Sequence, residues 1–412
     1  MAAHDPSELD ARDPLPAGPG RFLLPPGTIY LDGNSLGPPT PRGLALCRQV
    51  LDDWERLGVA GWTDADPAWF TWAERLAARE ARLLLGAQPS EVAVTGGTTI
   101  NLHQLLSTFY RPSGRRRKLV ADALAFPSDL YAMRAHAGDD LVLVPSRDQR
   151  TIASEDVEAA LGDDVALVLL SGVLYRSGQL LDVARLTQAA HAAGALAGWD
   201  FCHAIGIVPL DLDAWGVDFA VWCNYKYLGA GPGAVGGLFV AERHLATAGP
   251  ALPGWWGSDK ARQFDMSDDF QPAGDAGAFQ IGTPPILGLA ALDGALDVYE
   301  EAGMAAVRAR SLRLTAHLRE RVEAVGLAVV TPPEDAARGG HIAVAHPEAV
   351  RVGRALRDAG VVPDVRPPDI VRLAPHPLYT TYADVAAAAD ALAAVVAERR
   401  WERYPAARAA VT

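Results

Sequence analysis

Apolar residues recur at helical spacing over Thr71–Leu85, Val183–Ala193, Met304–Val325 and Tyr382–Arg399, with charged residues between them. That spacing predicts four amphipathic helices. Short apolar runs bounded by glycine or polar residues predict strands at Val92–Thr95, Leu119–Ala121, Leu141–Val144, Ala166–Leu170, Leu196–Trp199 and Phe219–Trp222. Gly237–Val240 and Ala328–Val330 read as further strands. Continuous apolar runs of this length belong to strands buried on both faces. Alternating strands and helices between Ala73 and Leu289 therefore predict an α/β fold with a mainly parallel sheet covered on both sides. Gly303–Thr412 reads as helix, strand, strand-like loop and helix, the pattern of a smaller α+β unit. The expected organisation is an N-terminal segment (1–60) packing with the small domain or a partner subunit, a large domain (61–295) and a small C-terminal domain (296–412). The second boundary crosses a long helix near 288–303.

Composition narrows the classes. At 412 residues and 50% hydrophobic content the chain can bury a core without staples. At a net charge of −13 nothing in it looks like a nucleic-acid backbone binder, which would need a basic face. Cys47, Cys202 and Cys223 make neither a disulfide framework nor a metal spacing, so no metal site is expected. Residues 1–20 lack the apolar core of a secretory leader, and no apolar run approaches the ~20 residues of a membrane span. The expectation is a cytoplasmic protein.

Chemistry concentrates at the predicted strand ends. The chain has three lysines, Lys118, Lys226 and Lys260. Lys226 ends a buried strand and enters a glycine-rich turn, a costly place for an ammonium unless it is exposed, paired or covalently used. A lysine can form a Schiff base where arginine cannot. Asp200 and His203 follow the preceding strand, and parallel strands open on one carboxyl edge, where ligands bind. An acid facing a lysine there suits pyridoxal phosphate, which needs a lysine and a carboxylate at its ring nitrogen. Taken singly, Lys226 also reads as a surface lysine and Asp200 as a helix cap. Thr95-Gly-Gly-Thr-Thr99 opens a helix with hydroxyls at Thr98 and Thr99, which suits a phosphate or an ordinary capped helix start. Phe126, Ser128 and Asp129 form a turn whose aromatic ring suits stacking on a flat ligand or simple loop packing.

In order and content these clusters resemble kynureninase, a pyridoxal phosphate enzyme of fold type I, the aspartate aminotransferase-like architecture. The resemblance spans nearly the whole chain: Tyr30-Leu-Asp-Gly-Asn-Ser-Leu-Gly37, Asn101-Leu-His-Gln-Leu-Leu106, Phe126-Pro-Ser-Asp129, Asp200-Phe-Cys-His-Ala204, Trp222-Cys-Asn-Tyr-Lys-Tyr-Leu228, Gly254-Trp-Trp-Gly257, Phe279-Gln-Ile-Gly-Thr-Pro-Pro285 and Arg372-Leu-Ala-Pro-His-Pro-Leu-Tyr379. It implies Lys226 as the Schiff-base lysine, Asp200 as partner of the pyridine nitrogen, and Tyr225 as a phosphate contact and candidate acid. Thr98 and Thr99 match phosphate positions and Phe126 the stacking position. Ser128, Asp129, Ser171 and His203 match further cofactor contacts. Trp255 and Thr283 match positions reached from the other subunit, which implies a homodimer with active sites at the interface.

For the substrate, the resemblance implies Arg372 on the α-carboxylate, with Ser35, Trp62 and Thr283 nearby. Taken alone, Arg372 reads as a surface ion pair and Trp62 as core packing. Thr283 departs from the vertebrate type, which carries Asn there, and this tilts the expectation toward L-kynurenine over its 3-hydroxy form. The implied reaction is hydrolytic Cβ–Cγ cleavage of L-kynurenine to anthranilate and L-alanine, in tryptophan breakdown or NAD biosynthesis. The rivals are a cysteine desulfurase or class V aminotransferase of the same fold, and a catalytically silent binder of pyridoxal phosphate or kynurenine. A desulfurase requires a cysteine in a mobile loop, which none of the three positions suggests.

Overall fold

The computed structural model describes residues 5–405 apart from Pro16 and Pro19. The first four residues of the expected N-terminal segment and leader reading, and the last seven of the expected small domain, lie outside the described residues. Near the N-terminus runs the two-residue strand β1 (Ile29–Tyr30). A seven-stranded sheet follows, built from β2 (Val92–Val94), β3 (Lys118–Asp122), β4 (Leu141–Val144), β5 (Val165–Ser171), β6 (Leu196–Asp200), β7 (Phe219–Cys223) and β8 (Gly236–Val240). Its order is β2-β8-β7-β6-β5-β3-β4. Every residue of β5 and β7 is buried, as their unbroken apolar runs predict. Pairing is parallel from β7 through β6, β5 and β3 to β4. β8 runs antiparallel to both β7 and β2. The Asn224–Val235 connection holds no helix, and a chain without a crossover helix turns back on its neighbour.

Beyond the helix Ile286–Ala302 lies a four-stranded antiparallel sheet. It contains β9 (Ala328–Val329) and β10 (Ile342–Ala345), then, after the two-residue β11 (Val361–Val362), β12 (Asp364–Arg366) and β13 (Ile370–Leu373), in the order β12-β13-β10-β9. Helices Met304–Ala324, Ala349–Asp358 and Tyr382–Ala397 complete a separate apolar cluster with it. The sequence pattern after β9 reads as a strand-like loop, yet it contains β10 as well. Beyond β10 it holds the helix Ala349–Asp358 and three more strands, obscured because the strands are two to four residues long and β12 meets β13 around Pro367-Pro368.

Residues 5–57 touch both parts. Asp10 accepts from the Tyr382 and Ala383 amides at 2.8 and 3.1 Å, and Asp13 pairs with Arg310 and Arg313. β1 pairs parallel with β11. Helix Pro41–Leu57 packs on Ile286–Ala302, where a Cβ on Gly294 would stand 2.2 Å from Gly43 N. The chain also passes directly behind the lysine turn. Gly37 N donates to Tyr225 O at 2.8 Å, and a Cβ on Gly37 would come within 2.1 Å of Lys226 O. Glycine at 37 is therefore what lets this segment lie against the lysine turn.

Candidate active site

Four parallel strands, β3, β5, β6 and β7, deliver Asp122, Ser171, Asp200 and Cys223 to one edge of the sheet. A cleft of about 250 Å³ opens there. It is lined by Thr98, Thr99, Phe126, Ser128, Asp129, Ser171, Asp200, His203, Tyr225 and Lys226, and by Ser35 from the N-terminal segment. The structure thus gathers into one cleft residues that lie far apart in sequence, from Ser35 to Lys226. Tyr175, Val173, Cys202 and Arg366 also line it and escaped the sequence reading. Val173 and Tyr175 continue the chain past Ser171, so the end of β5 was the signal for them. Arg366 carried no signal, because β12 was not recognised.

Two helix starts meet in the cleft. Helix Thr98–Phe109 begins after Gly97 with no side-chain cap, and helix Pro127–Ala137 begins after Phe126, also without one. Thr99 Oγ1 and Ser128 Oγ are 2.7 Å apart and join the two first turns, while Thr98 Oγ1 lies 3.4 Å from Cys202 Sγ. Uncapped amides and hydroxyls at a helix start form an anion site. Phe126 is 39% exposed, meets Tyr175 edge-on at 5.3 Å, and has Lys226 Nζ 6.0 Å from its ring centre.

Asp129 and Asp200 face each other in the cleft. Asp200 Oδ1 accepts from the Cys202 amide at 2.7 Å. Burial, then the charge of Asp200 and a hydrogen bond to it, hold the Asp129 carboxyl well above its ordinary value. The neutral form that this favours is the one able to donate to Asp200. Burial likewise pushes Asp122 up to about 6, against backbone N–H bonds that pull it down. Lys226 Nζ lies 3.3 Å from His203 Nδ1. Burial works against the Lys226 ammonium, but Cys223, Cys202 and Asp200 outweigh it, and the group stays above its ordinary value. Burial, then Lys226 and Arg372, drives His203 well below its ordinary value, so its ring is neutral. A neutral imidazole accepts at one nitrogen, so it serves Lys226 or Arg372, which stands 3.4 Å from Nε2, but not both. Burial, then Cys223 and Cys202, raises the Tyr225 phenol, which stays a hydrogen-bond donor.

This donor set fits pyridoxal phosphate: uncapped helix starts and hydroxyls for a phosphate, an aromatic face, a carboxylate for a ring nitrogen, and a lysine. Arg372 is placed differently. It is fully buried behind the cleft, ion-paired with Asp364 and donating to Tyr175 O, and burial lowers its guanidinium to about 10. Trp62 packs at 5.8 Å on Trp69 and 5.5 Å on Trp256, outside the cleft. Trp255 packs edge-on against Phe264 at 5.6 Å, and Thr283 is exposed; neither lines the cleft of its own chain. Cys47 lies on helix Pro41–Leu57 with Sγ 3.4 Å from Leu287 O, Cys223 ends β7, and Cys202 is buried in the turn after β6, where it lines the cleft. Among the described residues no group of three or more His, Cys, Asp or Glu side chains is placed to hold a metal ion, and no helix is long and apolar enough to cross a membrane.

Residues 307–392 match the family described as the kynureninase C-terminal domain. The chain is 47% identical over 408 residues to the kynureninase of Geobacillus thermodenitrificans (strain NG80-2), covering 96% of this chain and 95% of that one. It is 44% identical to the kynureninase of Bacillus anthracis over the same share of both chains. Among solved structures, the cystine C–S lyase C-DES in complex with cysteine persulfide superposes with a TM-score of 0.77 at 18% identity, covering 89% of this chain and 97% of its own. A cysteine desulfurase from Thermococcus onnurineus NA1 gives 0.77 at 19%, covering 98% and 100%. At such identity these two carry the fold alone, and that fold is the expected type I architecture.

Proposed function

The chain belongs to the kynureninase family, and from that premise we propose that it hydrolyses the Cβ–Cγ bond of L-kynurenine, releasing anthranilate and L-alanine. It is a hydrolase acting on a carbon–carbon bond of a ketonic substrate, and its cofactor is pyridoxal phosphate. The observation that carries the reading is Lys226 entering the same cleft as Asp200 and the uncapped helix start at Thr98. When bound, the cofactor supplies an electron-accepting ring that eases loss of a proton from the substrate's Cα.

The chain's own residues do the rest. Thr98, Thr99 and Tyr225 hold the phosphate, with Ser128 beside Thr99. Phe126 would stack on the ring, and Ser171 and His203 would contact the cofactor. Asp200 holds a proton at the ring nitrogen, and Asp129 fixes Asp200 through the hydrogen bond it donates. Lys226 carries the proton to and from Cα. Tyr225 donates in the later steps through a phenol that burial keeps protonated. Arg372 grips the α-carboxylate, with Ser35 alongside. Trp62 lies near the substrate ring, and Trp255 and Thr283 face the cleft of a second subunit in a homodimer. Support for that assembly is the exposed apolar patch of Leu51, Trp54 and Leu287 and the placement of Trp255 and Thr283 away from their own cleft. The three-part division at residues 60 and 295 and a cytoplasmic location belong to the same reading; the three free thiols agree with a reducing compartment.

The test is incubation of the purified protein and pyridoxal phosphate with L-kynurenine, 3-hydroxykynurenine or L-cysteine. Anthranilate and alanine from the first, faster than turnover of the second, are expected. Sulfide from cysteine without anthranilate would replace this reading with a desulfurase.

A further inference from the structure

Asp200 of β6 pairs in parallel with Val221 of β7, and the Phe201 amide continues the ladder by donating to Val221 O at 2.9 Å. Two residues beyond each of these partners stands a cysteine, Cys202 after β6 and Cys223 at the end of β7. Both are free and buried, and their thiols are hydrogen-bonded to each other. Neighbouring strands run about 4.8 Å apart. A disulfide joins Cα atoms about 4.4–6.8 Å apart, so the two positions suit one. The thiols differ in character. Burial, then the bond to Cys223, holds Cys202 well above its ordinary value. Burial opposes ionisation of Cys223 too, but the hydrogen bond from Cys202 and the charge of Lys226 outweigh it, and Cys223 falls to about 7. Above that pH the pair holds one proton between two sulfurs. Their access differs as well: Cys202 lines the cleft, with Sγ 3.4 Å from Thr98 Oγ1, whereas Cys223 does not. The proposed reaction uses neither thiol.

We propose that Cys202 and Cys223 form a site of reversible oxidation by peroxide, closing to a disulfide when the cofactor is absent and held open when it is bound. In the first step the Cys202 sulfur, its proton passed to Cys223, attacks one peroxide oxygen. The O–O bond breaks, and the departing hydroxide takes the proton from Cys223 and leaves as water. The Cys223 thiolate then attacks the sulfenic sulfur of Cys202, the S–O bond breaks, and a second hydroxide departs. The two sulfurs lose two electrons and the peroxide gains them. Closing the bond draws Cys202 from Thr98 and removes the anion that supports the Lys226 ammonium. Thr98 is a phosphate position in the kynureninase reading, on which the link to the cofactor rests, and a ligand seated there covers Cys202. In a reducing compartment such a bond is transient.

The experiment equilibrates the full-length protein in dithiothreitol redox buffers, with and without saturating pyridoxal phosphate. Alkylation and peptide mapping then locate the disulfide. A Cys202–Cys223 bond is expected without cofactor, and brief exposure to hydrogen peroxide should give the same bond. Pyridoxal phosphate should lower the disulfide-to-dithiol ratio about tenfold or more, within the usual range for coupled sites. By reciprocity the oxidised protein should bind pyridoxal phosphate more weakly by the same factor, read from the visible absorption of the complex. Cys202→Ser and Cys223→Ser should each abolish the cross-link. A ratio that pyridoxal phosphate leaves unmoved, a sulfinic acid on Cys202 in place of the bond, or a bond to Cys47 would overturn the site. Masses and an affinity carry the result, so the wild-type protein decides it even where a variant fails to fold. If the protein binds pyridoxal phosphate but leaves L-kynurenine intact, the kynureninase reading fails by itself, and the disulfide ratio still decides the cysteine pair.

Discussion

Asp122 at the edge of the seven-stranded sheet and Asp364 in the four-stranded sheet are both fully buried, yet their surroundings are opposite. Asp122 rests on backbone amides with Asp200 for a neighbour and is pushed up to about 6. Asp364 stands between the guanidiniums of Arg366 and Arg372. Burial alone therefore does not set the charge of a carboxyl here; the partner does. The sheet-edge wall of the cleft, with Asp129 protonated and two helix starts open, is built from dipoles and shared protons. The β12–β13 wall is built from full charges. The first suits a resident cofactor held by many short bonds, the second an anionic substrate that must enter and leave.

The largest effect should come from removing the one cation of the first wall. Lys226→Ala is expected to lower turnover of L-kynurenine at least about ten-thousandfold, the upper range for a positioned proton carrier. Borohydride reduction of wild-type holoenzyme should place the pyridoxyl label on Lys226. Recovery of the label on Lys118 or Lys260 would move the chemistry elsewhere.

The same contrast explains what could be read from sequence. Lys226, Asp200 and Ser171 sit at the ends of long apolar runs, and a parallel sheet sends such ends to one edge, so this wall was legible. The β12–β13 wall was not. Its strands are three and four residues long, and a pattern that short does not distinguish Arg366 from a surface arginine. Arg372 was found through resemblance, but its burial behind the cleft depends on Asp364, to which no periodicity points. Trp62 shows a third limit: an aromatic cluster with Trp69 and Trp256 looks the same in sequence as a substrate contact.

Asp200 and Asp129 sharpen the account of the first wall, since one accepts and the other donates. Asp200→Asn should cost roughly a hundredfold or more in kcat, as loss of a fixed charge partner does in a dry site. Asp129→Asn keeps a donor of the same shape toward Asp200 and should stay within about tenfold. Equal losses from both would mean that Asp129 does not hold the proton. On the second wall, Arg372→Ala removes the fully buried partner of Asp364, leaves it Arg366, and should destabilise the protein by up to about 3–5 kcal/mol, as broken buried pairs do. It should also lower kcat/KM. Arg366→Gln leaves Asp364 its other partner, and the cost should be under about 1 kcal/mol. Urea unfolding of the two variants measures the difference, and equal destabilisation would erase the distinction between a buried and a cleft-facing arginine.

The smallest effect concerns Glu80, which lies under the lysine strand and extends the proton-sharing character of the first wall into the core. It is fully buried, accepts from Trp222 Nε1 at 3.2 Å with Asn224 beside it, and burial pushes it up to about 8 against those two bonds. An unfolded glutamate ionises near 4.3. Below that pH both states carry the proton and stability does not depend on it. Between there and about 8 the folded chain keeps a proton that the unfolded chain has lost, so stability falls as pH rises, by at most about 1.4 kcal/mol per pH unit. Above about 8 the dependence flattens. Glu80→Gln keeps a neutral group of the same shape and removes the titration. The variant should therefore match wild type near pH 4.5 and exceed it at pH 8 by a few kcal/mol at most. Asp32, Asp122 and Asp129 are shifted in the same direction, but they are common to both proteins and cancel in the difference. Urea midpoints at the two pH values decide the matter. A gap between variant and wild type that does not change with pH would show Glu80 to be ionised in the fold, and would confine the neutral carboxyls to the cleft itself.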